Sequence, residues 1–457
     1  MNIPQPVKEI YKILEKAGYD TYFVGGCVRN ILLKKEVKDW DMTTNATPEQ
    51  MMELFPDTFY DNQFGTVGVP FEEEETKGVV EITTFRSESG YSDRRHPEKV
   101  EWGKTIKEDL QRRDFTINAM AIQLSERGAL QTDEIVDPFH GKEDLEHSII
   151  RAVGNPNERF KEDALRLMRA IRFAAQLGFT IEEKTWESIQ QDATLLPAIS
   201  PERIHDELLK ILESEYPYEG IMLLKKGKLL EYILPELLEG IGISQTRPGR
   251  HHIFDVFTHN ILALKECPAT NAVVRFATLI HDVGKPRVAS QDQNGFVIFY
   301  NHEIVGSRMA YAICERLRFS KKDRDKIVKL IRWHMFTVDE HITDAAVRRF
   351  IRRIGVDNVK DMIDLRIGDR LGSGIPEERA ESWRLKKFKA RIEEQLQPGP
   401  FSIKDLAING NDIMKELQMK PGPRIGEMLQ KLFEEVDEDL HKNTRDYLLE
   451  RVKELEI

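Results

Sequence analysis

The sequence predicts an α+β protein: a head of about 145 residues with a mixed sheet, followed by a chain that is helical almost throughout. Short apolar runs closed by glycine alternate with amphipathic segments as far as "VDPFHGKEDL", which indicates strands alternating with helices. Beyond that point apolar residues recur at helical spacing. A chain of 457 residues is too long for one hydrophobic core, so we expect several domains.

Local signals predict each element of the head. Residues 5–18 have an amphipathic helical pattern that ends at Gly18, and "DTYFVGG" predicts a strand entering a tight turn. "CVRNILLKK" predicts a helix and "KDWDMTTN" a second strand. In "ATPEQMMELFP", Thr47 is the expected N-cap and Pro48 the first helical residue. "GTVGVPF" and "GVVEITTF" predict paired strands.

Two segments interrupt the helical remainder. In "SQDQNGFVIFYNHE" an Asn-Gly turn predicts a small hairpin. In "LQPGPFSIKDLAINGNDIM" a Pro/Gly break predicts the start of a separate C-terminal piece.

Composition restricts the environment and the partners. The net charge of -11 argues against a generic polyanion-binding surface, so any nucleic-acid contact must use local basic patches. Three widely spaced cysteines form no CxxC pair, which predicts neither a disulfide framework nor a thiolate zinc site. Because the N-terminus has no apolar signal core and no long apolar run follows, we expect a cytoplasmic protein without membrane contact.

A first candidate site lies near the N-terminus. Asp39 and Asp41 are two apart on a predicted strand, so their carboxylates share a face and need a cation between them, for which Mg²⁺ is the usual choice. Gly25 and Gly26 let the backbone approach a bulky anion, and Arg29 follows one helical turn later. The P-loop lysine is missing, so a triphosphate would be held without Walker chemistry.

Two further polar groups extend this site. In "EDLQRRDFTINAMA", we expect Arg113 on phosphate oxygens and Asp114 and Asn118 on sugar hydroxyls; the alternative is a helix start with solvated charges. Four charged residues then follow at steps of three, opposite an apolar stripe, where the alternative is a solvent-facing helix: Asp163, Arg166, Arg169 and Arg172.

A second candidate site lies in the helical region. A His-Asp doublet supplies one nitrogen and one oxygen ligand to the same ion, which suits a catalytic transition metal with open positions. Further histidines and an aspartate accompany the doublet, and His302 and His334 leave room for a second metal. The residues are His259, His281, Asp282, His302, His334 and Asp369.

The ordered segments "FVGGCVRN", "KDWDMTTNATP", "RRDFTINAMA", "EDALRLMRAIRFAAQLGF" and "ISPERIHDEL" resemble the successive motifs of class II tRNA nucleotidyltransferases, the CCA-adding enzymes and bacterial poly(A) polymerases. The resemblance implies a polymerase-β-like head with five strands (1–145), a helical neck (146–215), an HD domain (216–390) and a C-terminal tail (391–457).

The resemblance also implies roles for residues. Asp39 and Asp41 would be the catalytic Mg²⁺ ligands, with Gly26 and Arg29 on the nucleoside triphosphate. Asn30 departs from the family pattern, which usually has Asp there, and we expect little effect on chemistry because that acid is not a metal ligand.

The helix with Asp163 and Arg166 would be the family's protein template. Cytosine and adenine each present an amino donor beside a ring-nitrogen acceptor, whereas uracil and guanine present a carbonyl. An Asp acceptor beside an Arg donor on one helix face would therefore select C and A.

The order of ligands in the second site resembles HD-domain phosphohydrolases. That resemblance implies a metal held by His259, His281, Asp282 and Asp369, with Lys285 as a phosphate contact.

The predicted function is addition of CCA to tRNA 3′ ends from CTP and ATP with Mg²⁺, together with a metal-dependent phosphohydrolase activity. The alternatives are a CC-adding, A-adding or poly(A)-adding enzyme, or chiefly a phosphohydrolase with an RNA-binding head. The segment around Arg94 and Arg95 resembles the family's flexible loop, and its length favours full CCA addition. Basic clusters are the candidate RNA contacts: Arg94, Arg95, Arg348, Arg349, Arg352, Arg353, Lys386 and Lys387.

Overall fold

A computed structural model describes most of the chain: residues 3–61, 65–73, 76–89, 99–102, 105–125, 129–131, 134–246, 253–336, 342–376, 383–396 and 402–456. Arg94 and Arg95 lie outside these ranges. The chain divides into two compact units, unit 1 (Met1–Pro235) and unit 2 (Glu236–Ile457). Within the described ranges, no helix has the length and apolar character needed to cross a membrane.

Unit 1 contains a mixed sheet, as predicted, with strand order β3-β4-β5-β2-β1-β8. Among the described strand pairs of this sheet, only β2 and β5 are parallel, and the others are antiparallel. The strands are β1 (Thr21–Val24), β2 (Trp40–Thr44), β3 (Phe59–Asp61), β4 (Thr66–Glu73), β5 (Thr76–Thr84) and β8 (Ala121–Ile122). The expected count of five strands is wrong, because β8 is only two residues long and too short to show a periodic pattern.

Two small sheets accompany the main one in unit 1. Strands β6 (Arg86–Ser89) and β7 (Lys99–Trp102) form an antiparallel pair. Strands β9 (Ile149–Ile150) and β10 (Thr180–Ile181) form a parallel pair.

The helices of unit 1 begin and end at α1 (Gln5–Lys16), α2 (Gly26–Leu32), α3 (Pro48–Leu54), α4 (Ile106–Gln111), α5 (Gly141–Glu146), α6 (Pro156–Glu162), α7 (Leu165–Leu177), α8 (Glu183–Asp192), α9 (Pro201–Glu213), α10 (Pro217–Lys226) and α11 (Leu230–Ile233), with 3₁₀ turns at Thr116–Asn118 and Ala193–Ala198. The predicted cap of α3 is confirmed: the Thr47 hydroxyl accepts from the Gln50 N–H, and the Gln50 side chain accepts from the Thr47 N–H.

The predicted helical run through Asp163 is interrupted. Asp163 is the C-cap of α6, with an extended backbone (φ -142°, ψ 103°), and α7 begins at Leu165. The reason is local: Asp163 Oδ1 accepts a hydrogen bond from the Leu165 N–H at 3.0 Å, so the side chain caps the new helix rather than lying on its face.

The described residues of unit 2 are mainly helical, and the predicted hairpin is confirmed as β11 (Ser290–Gln291) paired with β12 (Val297–Ile298). The helices are α12 (Pro235–Leu238, at the boundary), α13 (Val256–Lys265), α14 (Ala272–Leu279), α15 (Lys285–Val288), α16 (His302–Arg316), α17 (Lys321–Trp333), α18 (Asp344–Ile354), α19 (Val359–Gly372), α20 (Trp383–Leu396), α21 (Gly410–Leu417), α22 (Pro423–Glu438) and α23 (Arg445–Glu456), with 3₁₀ turns at Val356–Asn358, Ile403–Asp405 and Leu440–Lys442.

Close backbone approaches set the positions of the unit 2 helices. A Cβ added to Gly372 of α19 would lie 2.5 Å from the backbone nitrogen of Ala263 in α13, and one at Gly368 would lie 2.6 Å from the Ala263 carbonyl oxygen. A Cβ at Gly284 would lie 2.2 Å from the His302 carbonyl oxygen. These glycines let α13, α19 and the start of α16 pack closely enough for their polar side chains to meet.

The three cysteines, Cys27, Cys267 and Cys314, are free and buried. This confirms the prediction that they form no disulfide framework.

Candidate nucleotide site and metal centre

The glycine turn, the strand carboxylate and the later arginine meet in unit 1. Gly25 is the N-cap of α2 with φ +73°, a conformation that favours glycine. A Cβ at Gly25 would lie 3.0 Å from Arg113 Nη1 and 3.5 Å from Asp41 Oδ2. Three separate segments of the sequence therefore form one corner with a guanidinium, a carboxylate and a glycine backbone that has no side chain of its own.

Asp41 belongs to a group of carboxylates along the sheet. Glu81 of β5 is its register partner, and laterally paired residues point to the same face, while Asp39 is exposed just before β2. Burial raises the pKa of Asp41 to about 6; Arg113 lowers it, and Glu81 and Asp39 raise it further. Sequence reasoning missed Glu81, although a single acid within the apolar run "VVEITTF" was its signal.

The head carboxylates fit a hard cation. Within the described ranges, ligand-type side chains converge in groups of three within 4.8 Å only in unit 2. The carboxylates of the head form no group of three as tight as those in unit 2 within the described ranges. Such an arrangement suits Mg²⁺, which keeps water and phosphate oxygens among its ligands.

A series of hydrogen bonds links Arg29 to Asn118, Asp114 and Arg169. Arg29 Nη1 donates to Asn118 Oδ1 at 2.8 Å, Asn118 Nδ2 donates to Asp114 Oδ1 at 3.3 Å, and Arg169 Nε donates to Asp114 Oδ2 at 2.7 Å. Burial by itself would raise the pKa of Asp114, but the ion pair with Arg169 outweighs it and the pKa falls to about 2. Asp114 is thus an ionised anchor that orients Arg169 and Asn118.

Asn30 stands where the family usually has Asp, and its side-chain oxygen still accepts hydrogen bonds. Asn30 Oδ1 accepts from Arg29 Nε at 3.2 Å and from Arg29 Nη2 at 3.0 Å. Asn30 Nδ2 donates to the Glu36 carbonyl. An amide oxygen therefore orients the Arg29 guanidinium here, where the family usually has a carboxylate.

The structure pairs Asp163 with Arg203 instead of Arg166. Arg203 Nη2 donates to Asp163 Oδ2 at 2.7 Å and Arg203 Nη1 to Asp163 Oδ1 at 3.3 Å. Arg166 donates to Glu162 Oε2 at 2.6 Å and to the Arg112 carbonyl at 3.0 Å. The expectation of Asp163 and Arg166 on one helix face is corrected, because Asp163 precedes α7. Arg203 was missed, although it lies within the quoted segment "ISPERIHDEL".

Arg172 lies in the packing between α7 and α9. It is buried, and its Nη1 donates to Glu207 Oε1 at 3.0 Å. Burial and neighbouring Arg169 lower the pKa of the Arg172 guanidinium to about 10. Its charge therefore joins α7 to α9, and its expected nucleotide contact stays a prediction.

In unit 2 the six predicted ligand residues come together around Asp282. Its Oδ2 lies 3.2 Å from His259 Nε2 and 3.3 Å from His281 Nε2, and its Oδ1 lies 3.3 Å from His302 Nε2 and 3.6 Å from His334 Nε2. Asp369 Oδ1 lies 3.3 Å from His259 Nε2. Two ligand triples thus share Asp282: His259, His281 and Asp282, and Asp282, His302 and His334.

Backbone contacts determine which nitrogens of the imidazoles are available. The Nδ1 atoms of His281, His302 and His334 lie 2.8, 2.8 and 2.7 Å from backbone carbonyl oxygens, which can only accept. In the neutral ring, Nδ1 therefore carries the proton and Nε2 presents a lone pair. Several lone pairs aimed at one small space, beside two carboxylates, form a donor set of the kind that can bind a transition metal.

Basic side chains border the same cavity, whose volume is about 420 Å³. Lys285 Nζ lies 2.5 Å from Asp282 Oδ2, and Arg366 Nη1 donates to Asp369 Oδ2 at 2.7 Å. Burial opposes ionisation of Asp282, but His281, Lys285 and His259 hold its pKa well below the usual range. Burial lowers the pKa of His281, yet Asp282 and Asp369 raise it to about 10. The cluster therefore strongly favours positive charge at its centre.

Most of the predicted RNA-contact arginines of unit 2 are bound within the fold. Arg348 is buried and donates to Asp437 Oδ1 at 2.8 Å, and Arg352 Nη2 donates to Asp437 Oδ2 at 2.6 Å. Arg349 pairs with Glu438. Arg348 therefore ties α18 to α22, and its expected RNA contact stays a prediction.

The other predicted RNA-contact residues of unit 2 have different surroundings. Arg353 lies over the Trp333 ring at 5.0 Å, whereas Lys386 and Lys387 are exposed on α20. These two lysines stay a prediction.

A mixed sheet with carboxylates and a glycine turn at one corner is typical of a nucleotidyltransferase head. Family models agree: residues 21–151 match the "Poly A polymerase head domain", residues 178–240 the "Probable RNA and SrmB- binding site of polymerase A", and residues 297–452 the "tRNA nucleotidyltransferase domain 2 putative". His259, His281 and Asp282 lie between the second and third matched segments.

Similar proteins cover the whole chain. A CCA-adding enzyme of Ligilactobacillus salivarius is 32% identical over 99% of this chain and 98% of its own length. One from Limosilactobacillus reuteri is 45% identical over 48% of this chain, an alignment that spans 51% of that protein. The crystal structure of the Bacillus stearothermophilus CCA-adding enzyme in complex with CTP matches with a TM-score of 0.73 and 27% identity, over 99% of each chain. The chain belongs to the family of CCA-adding enzymes and poly(A) polymerases.

Proposed function

We propose that unit 1 adds CCA to tRNA 3′ ends from CTP and ATP without a nucleic-acid template. The observation that carries this proposal is the convergence of Gly25, Arg113 and Asp41 on one corner of the sheet. It is supported by relatives named as CCA-adding enzymes along the full chain, and by the similar Bacillus enzyme, whose structure holds CTP.

The residues take roles that suit nucleotidyl transfer. Asp39 and Asp41 would hold Mg²⁺, which when bound would supply Lewis-acid activation of a hydroxyl and charge stabilisation for a leaving pyrophosphate. Arg113 and Arg29 bind triphosphate oxygens at the Gly25–Gly26 turn. Residues 146–215 act as the neck that presents Asp163 to the base.

The test uses tRNA lacking its 3′ CCA and each nucleoside triphosphate separately and in combination. Addition of two C residues from CTP, then a single A once ATP is added, supports CCA addition. Products that stop at CC, products that require a preformed CC end, or A tracts longer than one residue indicate the CC-adding, A-adding and poly(A)-adding alternatives.

We also propose a second activity, hydrolysis of a phosphoester at the unit 2 cluster. The supporting observation is the pair of ligand triples that share Asp282. His259, His281, Asp282 and Asp369 would hold one divalent transition metal, and His302 and His334 with Asp282 a second. When bound, such a metal would supply an activated water. Lys285 and Arg366 border the cavity and would contact the phosphate.

Hydrolysis of bis(p-nitrophenyl) phosphate tests the second activity. The protein is freed of metal and reloaded with Mn²⁺, Co²⁺, Ni²⁺ or Mg²⁺, and bound metal is counted by elemental analysis. Metal binding with hydrolysis supports the proposal, whereas a protein that holds no metal at any of these ions contradicts it. Loss of hydrolysis in Asp282→Ala with CCA addition retained would also exclude the reading of unit 1 as only an RNA-binding head.

A further inference from the structure

We infer that Asn30 is a positioning residue for triphosphate binding, because its uncharged side chain holds the Arg29 guanidinium without neutralising it. This inference rests on the proposed nucleotide addition and concerns the affinity of that site for the triphosphate. Because Asn30 stands where the family usually has Asp, the absence of a negative charge here is a property of this chain.

Neutral acceptors hold the Arg29 guanidinium. Its Nε and Nη2 both donate to Asn30 Oδ1, at 3.2 and 3.0 Å, and its Nη1 donates to Asn118 Oδ1 at 2.8 Å. Its Cζ lies 5.3 Å from the centre of the Phe173 ring, whose face also attracts cations. All of these contacts orient the guanidinium, and none of them carries a negative charge.

Part of the guanidinium stays available for a ligand. An arginine side chain has five N–H donors, and the bonds to Asn30 and Asn118 use three of them. One N–H on Nη1 and one on Nη2 therefore remain. A Cβ added to Gly26 would lie 3.6 Å from Arg29 Nη2, so this end of the guanidinium lies beside the glycine turn. Planar N–H donors at that place suit phosphate oxygens.

The positive charge of Arg29 is not cancelled by an adjacent carboxylate. In the part of the chain that the structure describes, Arg29 forms no ion pair. Asp114, which is linked to Arg29 through Asn118, is itself paired with Arg169 at 2.7 Å. A triphosphate at the glycine turn would therefore meet a cation that is oriented but still charged, and it would be attracted in proportion to its own charge.

The amide of Asn30 also makes a contact that a carboxylate cannot make. Its Nδ2 donates to the Glu36 carbonyl oxygen at 3.0 Å, in the segment that leads to Asp39. A carboxylate only accepts, so an Asp at this position would face the carbonyl oxygen against oxygen and would pair with Arg29. Asn30 thus holds Arg29 and the segment before Asp39 together without adding negative charge.

The test compares wild type with Asn30→Asp, Asn30→Ala and a matched control, Asn45→Asp. Asn45 is exposed, accepts from the Asp20 N–H at 2.9 Å, and follows β2 at the end of the strand opposite Asp39. An Asp there keeps the acceptor and adds the same charge away from the glycine turn. Isothermal titration calorimetry measures the affinity for CTP, CDP and CMP at constant Mg²⁺. Steady-state assays on tRNA lacking CCA give kcat and KM for CTP.

We expect Asn30→Asp to weaken CTP binding about tenfold and to raise KM by a similar factor, with kcat within about twofold of wild type. The loss should decrease from CTP to CDP to CMP, because an added negative charge repels a ligand in proportion to its charge. The difference from wild type should shrink as KCl rises. Asn30→Ala loosens the guanidinium without neutralising it, so its loss should be smaller. Asn45→Asp should bind all three nucleotides as wild type does.

An equal loss for CTP, CDP and CMP would mean that Asn30 has only a structural role and would overturn the inference. So would wild-type CTP affinity in Asn30→Asp, or a larger loss in Asn30→Ala than in folded Asn30→Asp. If Asn30→Asp does not fold, Asn30→Ala decides: a loss that is greatest for CTP supports the inference, and wild-type affinity overturns it. A wild-type protein that does not bind CTP would instead contradict the proposed function, so the two failures are distinguishable.

Discussion

The Nε2 atoms of His259 and His281 face each other at 3.2 Å inside unit 2. His281 presents an acceptor lone pair there when it is neutral, because its Nδ1 lies against the Thr278 carbonyl. A pair held this close among Asp282 and Asp369 requires positive charge, either a proton or a metal. Because a proton and a metal would compete for the same space, we expect metal binding here to depend on pH.

Removal of metal should therefore lower both hydrolysis and thermal stability of unit 2. We expect a chelated protein to regain stability in a concentration-dependent way on addition of Mn²⁺ or Ni²⁺, as ligand linkage requires. Differential scanning calorimetry and elemental analysis would measure this. Asp282→Ala should abolish the effect, and His441→Gln, which changes an exposed histidine of unit 2, should keep it. A thermal transition indifferent to metal would contradict the ligand assignment.

Asp41→Ala should abolish nucleotide addition and leave hydrolysis of a generic phosphodiester near its wild-type rate. The two carboxylate clusters belong to separate units, so loss of one metal should not affect the other. Asp57→Ala, which removes an exposed acid of unit 1, serves as the control and should retain both activities. If folded Asp41→Ala loses both activities, the two-site model is wrong.

Asp163→Ala should reduce discrimination as well as rate. The amino group of C or A would be left unpaired in a partly covered pocket, which costs about 1–3 kcal/mol, or about tenfold to a hundredfold in kcat/KM. UTP and GTP lack this donor and should be affected less. Incorporation of all four nucleotides, with Mg²⁺ dependence as an internal control, measures the effect. A uniform fall with selectivity intact would place base selection elsewhere.

Nucleotide addition should weaken as the pH falls through about 6. The pKa of Asp41 is raised to about 6 by burial, so the carboxylate is ionised above this value and protonated below it. A proton then competes with Mg²⁺, and apparent metal affinity should fall about tenfold for each pH unit below the midpoint. Raising Mg²⁺ should move the midpoint of the pH–rate profile to lower pH. A midpoint independent of Mg²⁺ would assign the transition to another group.

Arg348→Ala should destabilise unit 2 without a specific loss of RNA binding. Asp437 is buried and would keep only Arg352 as its partner, and breaking a buried pair costs about 3 kcal/mol or more. Denaturant unfolding measures the loss. Lys387→Ala, on the exposed face of α20, should change stability little and provides the comparison for tRNA affinity. Weaker tRNA binding by folded Arg348→Ala with unchanged stability would support its predicted RNA role.

Local chemistry made much of the fold predictable from the sequence. Thr47 and Pro48 are enough to predict the start of α3, and the turn residues of "DQNG" predict the hairpin of unit 2. The predicted ligand residues of both sites could likewise be identified from the sequence. Carboxylates and histidines within apolar segments are costly to bury without a partner, so they indicate a bound ion or ligand.

Long-range partners were not predictable in this way. The break before α7 depends on a side-chain bond from Asp163 to the next helix, and Arg203 becomes its partner only through tertiary packing. The basic pattern around Arg348 predicted an RNA contact, but the sequence does not show that Asp437, 89 positions later in the chain, pairs with Arg348. Glu81 lies beside Asp41 because of the strand register, which hydrophobic periodicity alone does not determine.

The glycines of α19 bear on how hydrolytic competence could be lost in related chains. A methyl group at Gly372 would meet the Ala263 backbone at 2.5 Å and force α13 and α19 apart. His259 lies on the first of these helices and Asp369 on the second, so a single alanine could separate two ligands while leaving all six in the sequence. If the hydrolysis proposed for unit 2 depends on this packing, a larger residue at Gly372 should abolish it although every ligand residue is kept.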